Sequence, residues 1–257
     1  MTTRRSNFAF DKHNYFFAAG GTSGVYGLIT TANLRVEVLT ALANSRVGEF
    51  HIKHLSSPFS GGFYSYGDQF IKDLPIPPTT EDQQTTIAGL AHTLTETTAT
   101  LRRLEAAVRA FPDSVTAARR ETGTVPDLEA RERLGVLQGL PREVSAERVS
   151  SEHDLMGRVI LRIGKGRMTL QPALAEFVFA TLKVRGKLSY EALASLNVPE
   201  RAGEQRAYVE ALREWQEQIV RLQGEIVELE AELNGKVYEV YGLEDEKEVI
   251  EGFLERF

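Results

Sequence analysis

The 257 residues are 42% hydrophobic, enough chain for one or two domains with a sizeable core, and 30 Lys+Arg against 36 Asp+Glu leave a formal net charge of −6. The absence of cysteine excludes disulfides, thiolate nucleophiles, Fe–S clusters and Cys-ligated zinc, and fits a reducing compartment. No apolar run approaches the ~20 residues of a bilayer span, and the opening MTTRRSNFAFDKHNYFF has no apolar leader core, so a soluble cytoplasmic protein with no membrane partner is expected.

The acidity is unevenly spread. Residues 1–78 carry +2, 79–111 carry −1, 112–203 carry +2 and 204–257 carry −9, while 12 of the 22 aromatic residues precede residue 79. Taken as an average, −6 argues against a nucleic-acid partner, but the body of the chain is near neutral and locally basic.

In the first segment, YFFAAGGTSGVYGLITT has strand-like composition broken by glycines, NLRVEVLTALANS predicts an amphipathic helix, and VGEFHIKHL predicts a second. SSPFSGGFYSYGDQF reads as a strand or turn around Gly61 and Gly62, with Phe59, Phe63 and Phe70 expected in the core. Pro75, Pro77 and Pro78 then forbid a helix, and Thr79 or Thr80 supplies an N-cap with Asp82 or Gln83 three residues on. From this start Ile87, Leu90, Leu94, Thr97, Leu101, Leu104, Val108 and Phe111 recur at steps of three and four, and Pro112 is expected to end the helix.

A matching seam of Tyr208, Leu212, Trp215, Ile219, Leu222, Ile226, Leu229 and Leu233 closes the chain. Both seams span about 38 Å at 1.5 Å per residue, which suits an antiparallel pair; self-association through the seams is the alternative. Between them lies an insert. DLEARERLGVLQGL predicts a short helix, GRVILRIGKGRMTL two strands about Gly164-Lys165-Gly166, PALAEFVFATLKVRG a helix started by Pro172 and stopped by Gly186, and LSYEALASLNVP a further short helix. The fold class is therefore α+β. Its expected parts are residues 1–78 with short strands and helices, a first coiled-coil helix over 79–111, a small mixed α/β insert over 112–203, and a second coiled-coil helix with a tail over 204–257.

The chemistry of the chain is mostly negative. It has no Walker A pattern, no G-x-S-x-G elbow, no H-E-x-x-H, no glycine-rich S-adenosylmethionine loop and no Asn/Asp-Pro-Pro-Tyr loop. Pro112-Asp113 and Pro126-Asp127 each supply half of a nuclease metal site without the Glu-x-Lys that should follow. His51 and His54 share a helix face but have no third ligand nearby, so no metal, cofactor or catalytic residue is expected.

Cations are the stronger signal. Arg158, Arg162, Lys165, Arg167, Lys183, Arg185 and Lys187 face only Glu176 over residues 158–187, a local +6 suited either to phosphates or to an ordinary solvated surface. Nearer the start, Ser60, Gly61, Gly62, Tyr64 and Tyr66 form an aromatic turn flanked by Arg46, Lys53 and Lys72, where a backbone can approach a ligand closely.

Three stretches carry a family resemblance. NSRVGEFHIKHLSSPFSGGFYSYGDQFIKDLPIPP resembles the end of the target recognition domain of TaqI-like adenine-N6 methyltransferases and type IIG restriction-modification enzymes. LPIPPTTEDQQTTIAGL is similar to the proline-rich lead-in to the conserved helix of type I restriction specificity subunits, and LNGKVYEVYGLEDEKEVIEGF to the C-terminal tail of the same methyltransferases. The resemblance covers about residues 8–111 and 204–257. It implies a partial target-recognition domain that reads double-stranded DNA for a methyltransferase or restriction catalytic subunit and is not an enzyme alone. The chain is then a separately encoded specificity subunit, an excised C-terminal part or a truncated remnant. On that reading Lys53, Ser60, Gly61, Gly62, Tyr64, Tyr66 and Lys72 lie near DNA, and Arg162, Lys165, Arg167 and Arg185 contact phosphates. The competing expectation is a coiled-coil adaptor that binds a protein through its acidic helix and no nucleic acid.

Overall fold

The computed structural model describes residues 2–3, 8–9, 28, 33–56, 58–59, 63–117, 122–124, 143–145, 149–153, 155–163, 166–189, 192–193 and 195–256. The chain is a mixed α+β protein of several helices, two of them long, and a few short strands. Two compact units divide it, residues 1–99 with 223–257, and residues 100–222.

The first unit opens with β1 (Thr2–Thr3), followed by α1 (Val36–Asn44) and α2 (Arg46–Leu55). Ser45 separates the two helices: its hydroxyl donates to the Leu42 carbonyl at 2.7 Å and accepts from the Gly48 amide at 3.1 Å, so one side chain serves both ends. The corner is tight enough to require glycine, because a Cβ on Gly48 would sit 2.4 Å from the Leu42 carbonyl oxygen. Next come β2 (Pro58–Phe59), β3 (Phe63–Ser65) and the single turn α3 (Asp68–Ile71). These strands form an antiparallel sheet in the order β1-β3-β2. Its alternation puts Tyr64 inward, and Tyr64, Tyr66, Ile52 and Ile71 make a small core with Phe8 and Phe70 against it. The outcome differs from the expectation at three positions: Tyr64 and Tyr66, expected near DNA, are core, and Phe63, expected in the core, is exposed.

Helix α4 (Glu81–Ala117) begins with a reciprocal cap, Thr80 N–H donating to Gln83 Oε1 at 2.9 Å and Gln83 N–H to Thr80 Oγ1 at 3.2 Å. Buried Gln84 clamps the extended segment before α1, accepting from the Arg35 amide at 3.0 Å and donating to the Asn33 carbonyl at 3.0 Å. Helix α6 (Ala202–Tyr241) is the second long helix, and α7 (Lys247–Leu254) follows the positive-φ Gly242. Within this unit Ile87 shares a core with Leu233, Val237 and Tyr238, and Thr97 hydrogen-bonds Glu225 at 3.4 Å. The two helices therefore run antiparallel here, with the seams turned inward. Helices α1, α2 and α7 complete that core through Val38, Leu42, Val47, Ile250 and Leu254.

In the second unit α4 continues through Pro112 to Ala117 rather than ending at the proline. Proline removes one helical hydrogen bond and crowds the carbonyl four residues back, a cost of about 3 kcal/mol, and here Pro112 is buried. Phe111 stacks on Tyr208 at 4.9 Å with rings 1° from parallel and meets Trp215 at 4.7 Å, while Tyr208 also touches Phe177 at 4.4 Å. Each such pair contributes about 0.5–1.5 kcal/mol beyond simple burial.

Among its described residues this unit has seven short strands, all antiparallel: β4 (Thr122–Thr124), β5 (Glu143–Ser145), β6 (Val149–His153), β7 (Val159–Ile163), β8 (Gly166–Leu170), β9 (Lys187–Ser189) and β10 (Asn197–Pro199). They form a three-stranded sheet β6-β7-β8 and the pairs β10-β4 and β5-β9. Helix α5 (Pro172–Arg185) has Pro172 in its first turn and ends at Gly186, whose φ is 72°. Its Leu174, Phe177, Val178, Thr181 and Leu182 recur with helical period on one buried face. That face packs with Val159, Leu161, Met168 and Leu170 of the sheet and with Val108, Tyr208 and Leu212.

LSYEALASLNVP is helical at Ala192 and Leu193, in the middle of the expected short helix, while its start and end belong to β9 and β10, each paired with a strand distant in sequence. The strand expected over 15–31 and the helix expected over 127–140 fall outside the described residues, apart from Leu28.

Candidate nucleic-acid interface

The three-stranded sheet has two chemically distinct faces. Along β7, Val159 and Leu161 point into the core and Ile160 and Arg162 point away; along β8, Met168 and Leu170 point in, with Arg167 and Thr169 away. Directly opposite residues share a face. The register pairs Ser150 with Arg162 and Arg162 with Arg167, and in the next outer row Glu152 with Ile160 and Ile160 with Thr169. The outer face is therefore a patch of hydroxyls and guanidinium groups around one half-buried isoleucine. Two arginines stand on neighbouring strands with Cβ atoms about 4.5–5.5 Å apart, an arrangement that like charge disfavours.

Glu152 moderates that repulsion. Its carboxylate accepts from Arg162 at 2.6 Å, and the bond holds the Glu152 carboxyl below its usual range and the Arg162 guanidinium above its own. The local charge is consequently lower than residues 158–187 alone suggest, since this acid precedes the window and reaches it only through strand pairing. Arg167 makes no ion pair with another described residue. Arg185 is exposed in the last turn of α5, where cations suit the helix dipole. Lys165 is outside the described residues.

The expected contacts in the first unit are placed differently. Lys53 has a side chain only 3% exposed, bonded to Glu49 at 2.8 Å and set 5.3 Å from the centre of the Tyr64 ring. Tyr64 is 1% exposed, and burial raises its pKa. Tyr66 is buried as well. These three belong to the interior, because desolvating an ammonium is tolerable only beside a carboxylate and an aromatic face. Lys72 is exposed, while Ser60, Gly61 and Gly62 lie outside the described residues.

Around Lys53 runs a chain of polar contacts that single-residue reading misses. Glu49 lies 3.7 Å from Arg46, Arg46 lies 3.4 Å from Glu251, and Glu251 accepts from the Tyr238 hydroxyl at 3.1 Å. Burial and the Glu251 charge push the Tyr238 phenol far above its normal pKa, and burial pushes Tyr241, which donates to the Pro75 carbonyl at 2.7 Å, up to about 12. Both phenols stay protonated and act as donors that fasten α6. The Glu49–Lys53 spacing of four residues was the available sequence signal.

His51 is half-buried; its Nε2 has no hydrogen-bond partner among the described residues, and burial lowers its pKa. His54 instead stacks on Phe50 at 5.6 Å and meets Phe253 at 6.1 Å. The charge of His54 also lowers the His51 pKa. Among the described residues no cluster of three metal-ligating side chains occurs, and no helix is long and apolar enough to cross a membrane. Comparison with protein-family models, with curated proteins and with solved structures returned no match.

Proposed function

We propose that this chain is a DNA-recognition module of a restriction-modification or phage-defence methyltransferase system, non-catalytic alone and acting with a catalytic partner. The observation that carries the reading is the Arg162–Arg167 pair on the outer face of the β6-β7-β8 sheet, flanked by Ser150 and Thr169. Guanidinium groups and hydroxyls are the usual donors to phosphate oxygens. A pair of opposed cations weakens the sheet slightly, and a polyanion is the ligand that turns this arrangement favourable.

On this reading residues 1–78 are the partial target-recognition domain, the two long helices are an antiparallel coiled-coil spacer, and the insert between them supplies the phosphate contacts. Inward-turned seams also count against the adaptor alternative, since Ile87 and Leu233, and separately Val108 and Tyr208, are already consumed within the chain.

Duplex binding by the full chain, followed by fluorescence anisotropy across a salt series, tests the proposal. Log affinity should fall linearly with log salt, and Arg162→Ala with Arg167→Ala should reduce the slope by about 2, at ~0.9 per phosphate contact. A flat salt response, or no binding at low salt, rejects it.

A further inference from the structure

We infer that the outer face of the β6-β7-β8 sheet lies in the major groove and reads base edges, with Glu152 accepting from the exocyclic amine of a cytosine and Ile160 packing on the methyl group of a neighbouring thymine. This rests on the DNA reading above and extends it from phosphate contact to sequence readout.

Size selects the groove. Three strands ~4.8 Å apart give a face about 10 Å across between the axes of its edge strands, which the ~12 Å major groove admits and the ~6 Å minor groove does not. The face is also held firmly from behind. Leu174, Phe177 and Val178 of α5 pack with Val159, Leu161, Met168 and Leu170 on the inner side of the sheet, and readout needs side chains carried on such a rigid element.

The chemistry of the face separates reading from gripping. Among the described residues Glu152 is its one acid. Phosphate oxygens repel a carboxylate, so Glu152 adds nothing to a surface that only holds the backbone. What the major groove offers a carboxylate is an exocyclic amine, and Glu selects that of cytosine. Arg162 donates to Glu152 Oε1 at 2.6 Å, which fixes the carboxylate and leaves Oε2 to accept from a base. Ile160 lies directly opposite Glu152, and Thr169 directly opposite Ile160. Ile160 is half-buried and gives an otherwise polar row its apolar surface, and the thymine methyl is the apolar group that a major groove displays. This row spans two strand spacings, about 9.6 Å, or about three base pairs at ~3.4 Å per step. The row of Ser150, Arg162 and Arg167 runs beside it two residues along each strand, about 7 Å away, and keeps the phosphates.

The test selects duplexes with the full chain from a pool with a randomised centre and compares the sequences recovered by wild type and E152Q. Wild type should enrich a cytosine next to a thymine. Glutamine pairs with the N6 and N7 of adenine, so E152Q should move the preference at the cytosine position to adenine and leave the thymine alone. Deoxyuridine in place of that thymine removes only the methyl group. Wild-type affinity should then fall about fourfold, equivalent to ~0.8 kcal/mol for one buried carbon, a loss that involves no variant and no change in folding. The salt slope should stay the same in every case, since no phosphate contact changes. A recovered motif without the cytosine, a cytosine preference that E152Q leaves in place, or a thymine preference indifferent to the methyl group overturns the readout. Equal recovery of all sequences, with salt-dependent binding that relies on Arg162 and Arg167, overturns the readout and leaves the DNA reading standing; no duplex binding by the wild-type chain overturns both.

Discussion

The two units treat their cations in opposite ways. In the first, Lys53 is sealed beneath Tyr64 and paired with Glu49, and Arg46 lies between Glu49 and Glu251. In the second, Arg162 and Arg167 are exposed on a sheet face, where among the described residues Glu152 pairs with Arg162. The contrast separates charge used as structure from charge displayed as surface. A lysine on a helix flanking a glycine-rich aromatic turn and an arginine on a hairpin look alike as text. What distinguishes them is whether the neighbouring element brings a carboxylate and a ring or only solvent.

Removing the sealed charge should be the most damaging change. Lys53→Ala leaves Glu49 buried with Arg46 at 3.7 Å as its remaining ion-pair partner among the described residues, and breaking a buried pair costs about 3–5 kcal/mol. Urea unfolding of the variant should show a loss of that order; a loss under 1 kcal/mol would place Lys53 back at the surface and erase the contrast. His51 gives a smaller, pH-dependent effect in the same unit. Burial lowers its pKa, opposed by Asp73 and assisted by His54. The folded state thus binds its proton less readily than the unfolded state, so the associated stability is complete above about pH 6.5 and drains away as pH falls through the depressed folded value. Unfolding midpoints of wild type and His51→Leu compared between pH 8 and pH 5 should diverge only on the acidic side, wild type losing more.

Local signals explain which parts were legible in the sequence. The Thr80–Gln83 cap, the Pro172 start and Gly186 stop of α5, both seams and the two strands about residue 164 are each written within a few neighbouring residues. What failed was non-local. Strands β9 and β10 exist because β5 and β4 pair with them from many residues away, which confines the helix expected over LSYEALASLNVP to the middle of the segment, at Ala192 and Leu193 among the described residues. Tyr64 and Lys53 exchange their apparent surface role for an interior one only after β3 folds beside α2. Glu152 was missed because the register of β6 on β7, not proximity in sequence, brings it to Arg162.

The finest test of the contrast has an effect of opposite sign. If the outer arginines are surface and not scaffold, R162T/R167T should leave the fold intact and raise its stability by up to ~1 kcal/mol, because threonine suits a strand and the opposed like charges are gone. Loss of the Glu152 bond subtracts little, since that pair is largely exposed. Urea midpoints at unchanged m-value measure the gain, and duplex anisotropy on the same sample measures the loss in binding. Gain in one and loss in the other assigns the pair to a ligand. A destabilisation beyond 1 kcal/mol would instead make Arg162 and Arg167 part of the scaffold, as Lys53 is in the first unit, and the two units would no longer differ in how they use charge.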